Sequence, residues 1–507
     1  MASRRIKGSP STRGGPPAQA GRRGYAHAFP SAAARPEVAL AEPVTLPLWA
    51  LAALLLLAAV ALLDRALVPG ARWFLRRRVN RAIDEINRRL RLRIRPFKLT
   101  RRAVLIDRLT FDTRVVEAAE AHARATGEPR EVAMSRVATY AREIVPSFST
   151  YAYFRLGYSV ARATARTLYR VRVGFADDEG LSRVDPEASV VFVMNHRSNM
   201  DYVLVSYLAA EKTALSYAVG EWARIWPLQS LIRSMGAYFV RRDSGDPLYR
   251  RVLERYVQMA ADAGVVQAMF PEGGLTRDGA LRPPRLGLLD YMLRDYDPAR
   301  RDLVFVPVGL NYDRVLEDRT QLEGAAGRKP GARGTALGAA RFTLRNAWQW
   351  MGGRWHRFGY ACVNFGTPIS MRTWLAERGG DLRGLSREER ARRVLELGTE
   401  LIGAVGQVIP ALPVPLVATV LLDSEDPLPS LEVHRRTQAL ARRIQAAGGH
   451  VYVPRTDEEY ATAVGLRALS LRRLIVEREG GFAPAPEEVP VLQYYANSIR
   501  HLLPEDM

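Results

Sequence analysis

The chain is 507 residues long, with 48% hydrophobic and 25% charged residues, which excludes a peptide-scale binding module and leaves room for two or three domains with a substantial core. A formal charge of +21 favours anionic partners, among them phospholipid head groups, phosphorylated metabolites, acidic carriers and nucleic acid, without choosing between them. A single cysteine, Cys362, excludes an intramolecular disulfide and any Cys-rich metal site, and it suits a reducing compartment.

Residues 1–40 form a basic segment rich in Arg, Gly, Pro, Ser and Ala and without periodicity, the composition of an unfolded tail. Within residues 41–66 lies the run "VTLPLWALAALLLLAAVALL", twenty residues without a charge, long enough to cross a bilayer as one helix. Arg65, Arg72, Arg76, Arg77, Arg78 and Arg81 follow the run and only Arg35 stands at the equivalent distance before it. That asymmetry predicts the larger C-terminal part on the cytoplasmic side of a cell inner membrane. Residues 67–180 read as helical, with amphipathic segments such as "AIDEINRRLRLRI" and a basic stretch, "YSVARATARTLYRVRV", that is either a solvated face or a membrane-facing one. Residues 181–400 alternate short apolar runs with helical stretches, the pattern of an α/β layer. Residues 401–507 read as helical. The apolar run "LIGAVGQVIPALPVPLVATVLL" near their start carries three prolines, so it belongs to soluble core and not to a second span.

Four apolar runs in the α/β part end in polar clusters: "SVVFVM" before His196, "GAYFV" before Arg241, "GVVQAMF" before Pro271 and "LVFVPVGL" before Asn311. Ligands of α/β sheets gather outside the carboxyl ends of strands, so the four clusters describe one site. His196 directly follows its strand and Asp201 falls in the first turn of the next helix. There the carboxylate can hold one imidazole nitrogen and leave the other as a general base for a hydroxyl carried by the substrate. The bare spacing equally allows an Asp that caps a helix and a structural His. Arg241 and Arg242 are either a solvated strand edge or a fork for phosphate. In "FPEGGLTRDG", Gly273 and Gly274 let backbone N–H groups approach a ligand, and Glu272, Thr276 and Arg277 either fix a polyol phosphate or pair among themselves. Cys362 reads as a core thiol. No metal-ligand spacing, P-loop or dinucleotide fingerprint is present.

Together these motifs, "NHRSNMDYVLVSY", "GAYFVRRDSGDPLYRRVLERY", "FPEGGLTRDG" with "LRPPRLG", "VPVGLNYDRV" and the C-terminal "LQYYANSIRHLL", resemble in order and spacing the membrane-bound glycerol-3-phosphate 1-O-acyltransferases, the PlsB-like group that includes dihydroxyacetone-phosphate acyltransferases. The resemblance implies an α/β acyltransferase core of mixed sheet and helices over residues 181–400, carried by an N-terminal membrane helix and flanked by helical regions. It implies His196 and Asp201 as the catalytic dyad, and Arg241, Glu272 and Arg277 with their neighbours as binding residues for glycerol 3-phosphate. It also implies membrane phospholipid synthesis from an acyl-coenzyme A (acyl-CoA) or acyl carrier protein thioester, with no further cofactor and no nucleic-acid partner. The chain departs from the family at Leu275, where Arg is general, and at Thr276, where Ser is usual. Either Arg282 or Arg285 supplies the missing charge, or the acceptor is different.

Two rivals follow. A 1-acylglycerol-3-phosphate (lysophosphatidate) acyltransferase would share the His-Asp chemistry with a larger acceptor. A non-catalytic basic membrane adaptor would bind anionic lipid without turnover. A metal-dependent phosphohydrolase fits poorly with so few His residues. Trp348, Trp350 and Trp355 are candidates for interfacial contact or for the core.

Overall fold

The computed structural model describes residue 97, residues 100–148, 157–209, 215–219, residue 233, residues 236–241, 244–326, 357–378 and 380–503. The basic tail, the apolar run at 44–63, Arg242 and the three Trp residues at 348, 350 and 355 lie outside the described residues. No helix among the described residues is long and apolar enough to cross a membrane.

In chain order the helices α1 (Arg102–Thr110), α2 (Thr113–Thr126), α3 (Arg130–Ile144) and α4 (Tyr158–Leu168) lead into strand β1 (Arg170–Ala176) and the short α5 (Asp178–Ser182). Next come β2 (Ser189–Met194), α6 (Met200–Ala209), β3 (Ser216–Val219), β4 (Tyr238–Phe239), α7 (Pro247–Asp262), β5 (Gln267–Met269), α8 (Gly287–Leu293), β6 (Leu303–Tyr312) and α9 (Asp318–Ala325). After β7 (Tyr360–Phe365) and β8 (Ile369–Ser370) the chain is mostly helical: α10 (Met371–Glu377), α11 (Arg387–Gln407), α12 (Pro413–Leu422), α13 (Ser430–Ala446), α14 (Glu458–Leu471), a hairpin of β9 (Ile475–Arg478) and β10 (Gly481–Pro484), and α15 (Val489–Ala496).

The main sheet has the order β1-β7-β6-β2-β5-β3-β4, with β8 added to β6. The pairs from β6 through β2, β5 and β3 to β4 are all parallel, whereas β7 and β8 run antiparallel to β6. This is a mixed α/β sheet dominated by parallel pairing. All residues of β2 and of β6 are buried, as a parallel strand covered on both faces requires, and their sequences are correspondingly continuous apolar runs. The alternation of β2 divides two cores. Val190, Phe192 and Met194 join α4, α6 and the C-terminal helices on one face, and Val191 and Val193 join α1, α2, α3, α7, α8, α10 and α11 on the other.

Two expected boundaries move. The sheet begins before residue 181, because the basic stretch read as helical splits into α4 and the outer strand β1, which pairs in parallel with β7. Arg170 and Arg172 take alternating outward positions on that strand, a period of two that a short run shares with a helix face. The boundary at 400 and 401 falls inside α11. Further on, Pro413 and Pro415 sit in the first turn of α12, where proline is tolerated and marks a helix start. The run "LIGAVGQVIPALPVPLVATVLL" is thus the end of one helix and the whole of a second, which packs on α14 and α15, and most of its residues are buried in the core.

Candidate active site

Because β2, β4, β5 and β6 are parallel to one another through the sheet, the polar residues after each of them meet at one edge. Asn195 extends β2 by one step: its amide nitrogen donates to the carbonyl of Leu310 and its oxygen accepts from the N–H of Leu310, both at 2.8 Å. The chain then turns, and His196 emerges buried, with 2% of its surface exposed. Ser198 Oγ accepts the N–H of Met200 at the start of α6, so Asp201 is free for another task.

The fully buried Asp201 carboxylate turns back to the loop. Its Oδ2 lies 2.8 Å from His196 Nδ1 and accepts the N–H groups of Arg197 and Ser198 at 2.8 and 3.0 Å. Its Oδ1 accepts the hydroxyl of Tyr312 at 2.6 Å. Four donors therefore fix the carboxylate, and the carboxylate fixes the imidazole so that Nδ1 carries the hydrogen and Nε2 is the basic nitrogen. The imidazole is stacked on Phe270, with ring centres 4.0 Å apart, and meets Tyr202 edge-on.

His196 opens on a cavity of about 390 Å³. Its lining includes Arg241, Arg250, Arg285, Ser244 and the backbone of Gly273 and Gly274, together with the apolar Val240, Leu253, Met269 and Leu288. No acidic side chain among the described residues lines it, so the lining favours an anionic ligand that also carries apolar surface. Gly273 has a φ of +70°, and a Cβ there would lie 2.5 Å from Cδ of Arg285, so both the turn and the close approach of Arg285 require glycine.

The candidate residues divide. His196, Arg241, Gly273, Gly274 and Arg285 line the one cavity. Glu272 does not face it: Oε1 accepts the N–H of His196 at 2.7 Å and Oε2 accepts the N–H of Arg282 at 3.0 Å. Burial pushes its carboxyl up to about 7, against the opposing pull of those two N–H donors. Thr276 is also buried, its hydroxyl donating to the carbonyl of Ala280 while its N–H donates to the carbonyl of His196. Both residues thus bond the backbone of His196 and hold its loop. Arg277 is exposed and is not among the cavity-lining residues. Cys362 is fully buried in β7, its thiol pushed up to about 12 by burial, as expected of a core residue.

Sequence reasoning missed Arg250 on α7, although it lies within a quoted motif, and it missed how far the C-terminal motif reaches. The guanidinium of Arg197, next to the catalytic candidate, lies over the ring of Tyr494 at 5.3 Å and donates to the carbonyl of Gly279. Gly279, with φ +87°, packs so closely on the backbone of Tyr494 that a Cβ would lie 1.8 Å from its carbonyl oxygen. Asn497 donates to the carbonyl of Asp278. The C-terminal segment thus closes the back of the loops that carry His196 and Glu272.

Comparison with known proteins places two domain models on the chain. Residues 176–311 match the family model described as Acyltransferase, and residues 348–506 match Glycerol-3-phosphate acyltransferase C-terminal region. Curated relatives named glycerol-3-phosphate acyltransferase include those of Hamiltonella defensa (28% identical, covering 62% of this chain and 40% of that protein), Pseudomonas syringae (30%, 58% and 35%) and Aeromonas hydrophila (33%, 55% and 34%). The chain therefore spans well under half the length of the curated relatives it matches. The crystal structure of the 1-acyl-sn-glycerophosphate (LPA) acyltransferase PlsC from Thermotoga maritima overlaps with a TM-score of 0.28 at 15% identity, covering 60% of this chain and 96% of that one, too loosely to bear on fold or substrate. Both domain models fall in the order of the motifs around the His-Asp pair, and over these two parts the chain is similar to the glycerol-3-phosphate acyltransferases.

Proposed function

We propose that this protein transfers a fatty acyl chain from a thioester donor to the sn-1 hydroxyl of glycerol 3-phosphate. The observation that carries the reading is the buried His196–Asp201 pair opening on a cavity lined by three arginines and by apolar side chains. His196 Nε2 takes the proton of the sn-1 hydroxyl as its oxygen attacks the thioester carbonyl carbon. The C–O bond forms, charge collects on the carbonyl oxygen, and collapse of this tetrahedral species breaks the C–S bond. The proton held by His196 passes to the departing thiolate. The protein supplies no nucleophile in this scheme, which suits a site whose cysteine is buried in a strand of the core.

The arginines would hold the phosphate and the apolar side chains would receive the start of the acyl chain. The apolar run at 44–63 and the excess of Arg beyond it support attachment to a bacterial inner membrane with the catalytic part on the cytoplasmic side. The same site would serve coenzyme A or an acyl carrier protein as donor.

The test is an acceptor comparison in membranes containing the full chain, with palmitoyl-CoA and with acyl carrier protein thioesters. Labelled glycerol 3-phosphate is expected to be acylated in preference to dihydroxyacetone phosphate and lysophosphatidate. Acylation of lysophosphatidate alone would reassign the acceptor and make Leu275 the mark of a changed pocket. Lack of transfer to any acceptor, with salt-sensitive binding to anionic vesicles, would favour an adaptor.

A further inference from the structure

Arg241, at the end of β4, is held from outside the α/β layer. Glu143, on α3 and 98 residues earlier in the chain, grips its guanidinium side-on: Nε donates to Oε1 at 2.9 Å and Nη2 donates to Oε2 at 2.6 Å. The pair is partly buried, with the Glu143 side chain 14% exposed. One turn earlier on the same face of α3, Tyr140 places its ring 5.2 Å from the guanidinium carbon, and Tyr249 of α7 stands 4.9 Å away. Tyr140 in turn donates its hydroxyl to Asp246, the residue whose carboxylate caps α7. The guanidinium thus has its side edge tied to a carboxylate and its plane set by two aromatic rings.

A guanidinium carries five N–H bonds, and a side-on carboxylate uses one on Nε and one on Nη2. The end edge, made by Nη1 and the remaining hydrogen of Nη2, stays available as a second fork. No protein acceptor for Nη1 stands among the described residues, and Arg241 lines the cavity into which His196 opens. A fork whose orientation is set beforehand loses less freedom on binding a phosphate than a loose arginine does.

We propose that Glu143 is a positioning residue for the acceptor: it fixes Arg241 so that the end edge of the guanidinium receives the phosphate of glycerol 3-phosphate. This rests on glycerol 3-phosphate being the acceptor. It gives the helical region before the α/β sheet a part in substrate selection, and it means that the charge of Arg241 alone does not make the site.

The test compares full-length wild type with Glu143→Gln and Glu143→Asp in membranes, measuring KM for glycerol 3-phosphate, KM for palmitoyl-CoA and kcat. The carboxamide keeps the shape but has one acceptor instead of two, so Glu143→Gln is expected to raise KM for glycerol 3-phosphate by about ten-fold, leaving KM for palmitoyl-CoA within about two-fold. Glu143→Asp, which keeps the charge, is expected to recover part of that loss and to report on the site should the Gln variant fail to accumulate. Direct titration of glycerol 3-phosphate into His196→Ala with and without Glu143→Gln should show the same weakening with no turnover involved. A lower KM for glycerol 3-phosphate in Glu143→Gln would show that Glu143 competes with phosphate, and equal changes in both KM values and kcat would show a structural brace; either overturns the proposal. Wild type that neither acylates nor binds glycerol 3-phosphate would overturn the functional reading and this proposal with it.

Discussion

Tyr312, the last residue of β6, donates its hydroxyl to Oδ1 of Asp201 across 2.6 Å, while Oδ2 of the same carboxylate holds His196. Burial raises the Tyr312 phenol well above its ordinary range, so it remains a neutral donor wherever the protein is folded. Tyr312→Phe leaves a buried carboxylate oxygen without its donor, at a cost of about 1–3 kcal/mol. The expected result is a fall in kcat of roughly ten-fold to a hundred-fold, measured in the glycerol 3-phosphate acylation assay, with KM for the acceptor little changed because Tyr312 does not line the cavity.

Glu272 carries a pH signature. Its carboxyl rises from 4.5 to about 7 on folding, so between those values the unfolded chain releases its proton first and the folded protein holds more protons. Stability from this group therefore falls as pH rises from about 4.5 to about 7, by up to roughly 3 kcal/mol at about 1.4 kcal/mol per unit. Glu272→Gln removes that titration and replaces one of two acceptors with a donor facing an N–H. The variant is expected to be less stable and less active than wild type, with the stability gap narrowing as pH rises through this window. Urea unfolding at a series of pH values measures it, and a gap that widens would contradict the assignment.

Gly279→Ala should separate the C-terminal segment from the loop it closes. The new Cβ would meet the carbonyl oxygen of Tyr494 at 1.8 Å on a backbone with φ +87°, a combination expected to cost about 3 kcal/mol or more. Thermal unfolding followed by circular dichroism should show a lower Tm, and activity should fall even below that Tm because Arg197 donates to the same glycine's carbonyl.

Arg285 and Arg277 give a paired comparison. Arg285 lines the cavity beside Gly273, whereas Arg277 is exposed away from it. Arg285→Ala is expected to raise KM for glycerol 3-phosphate by roughly ten-fold to a hundred-fold through loss of a charge-assisted contact, and Arg277→Ala by no more than about two-fold. The reverse order would restore Arg277 as the binding residue.

The His-Asp pair was legible because strand and helix grammar leaves little freedom: an apolar run must end and a helix must begin within five residues, so both side chains stay at the strand end. The residues that hold the pair were not legible, since Tyr312 meets Asp201 across 111 residues of chain, Glu143 meets Arg241 across 98 and Tyr494 meets the carbonyl of Arg197 across 297. No local period records such contacts. The partners of Glu272 were not legible either, because its carboxylate reaches the N–H groups of His196 and Arg282 through a turn that Gly273 makes at positive φ. Arg170 and Arg172 misled for a related reason, an alternating pattern too short to separate strand from helix.

The measurement that bears most directly on the central claim is acyl transfer from palmitoyl-CoA to labelled glycerol 3-phosphate by membranes carrying equal amounts of wild type and His196→Ala, with glycerol 3-phosphate binding measured alongside. If His196 is the general base, transfer falls by about a hundred-fold or more while binding of glycerol 3-phosphate persists. Transfer by His196→Ala within a few-fold of wild type would contradict the account, since the Asp201 network and the cavity would then surround a residue that takes no proton.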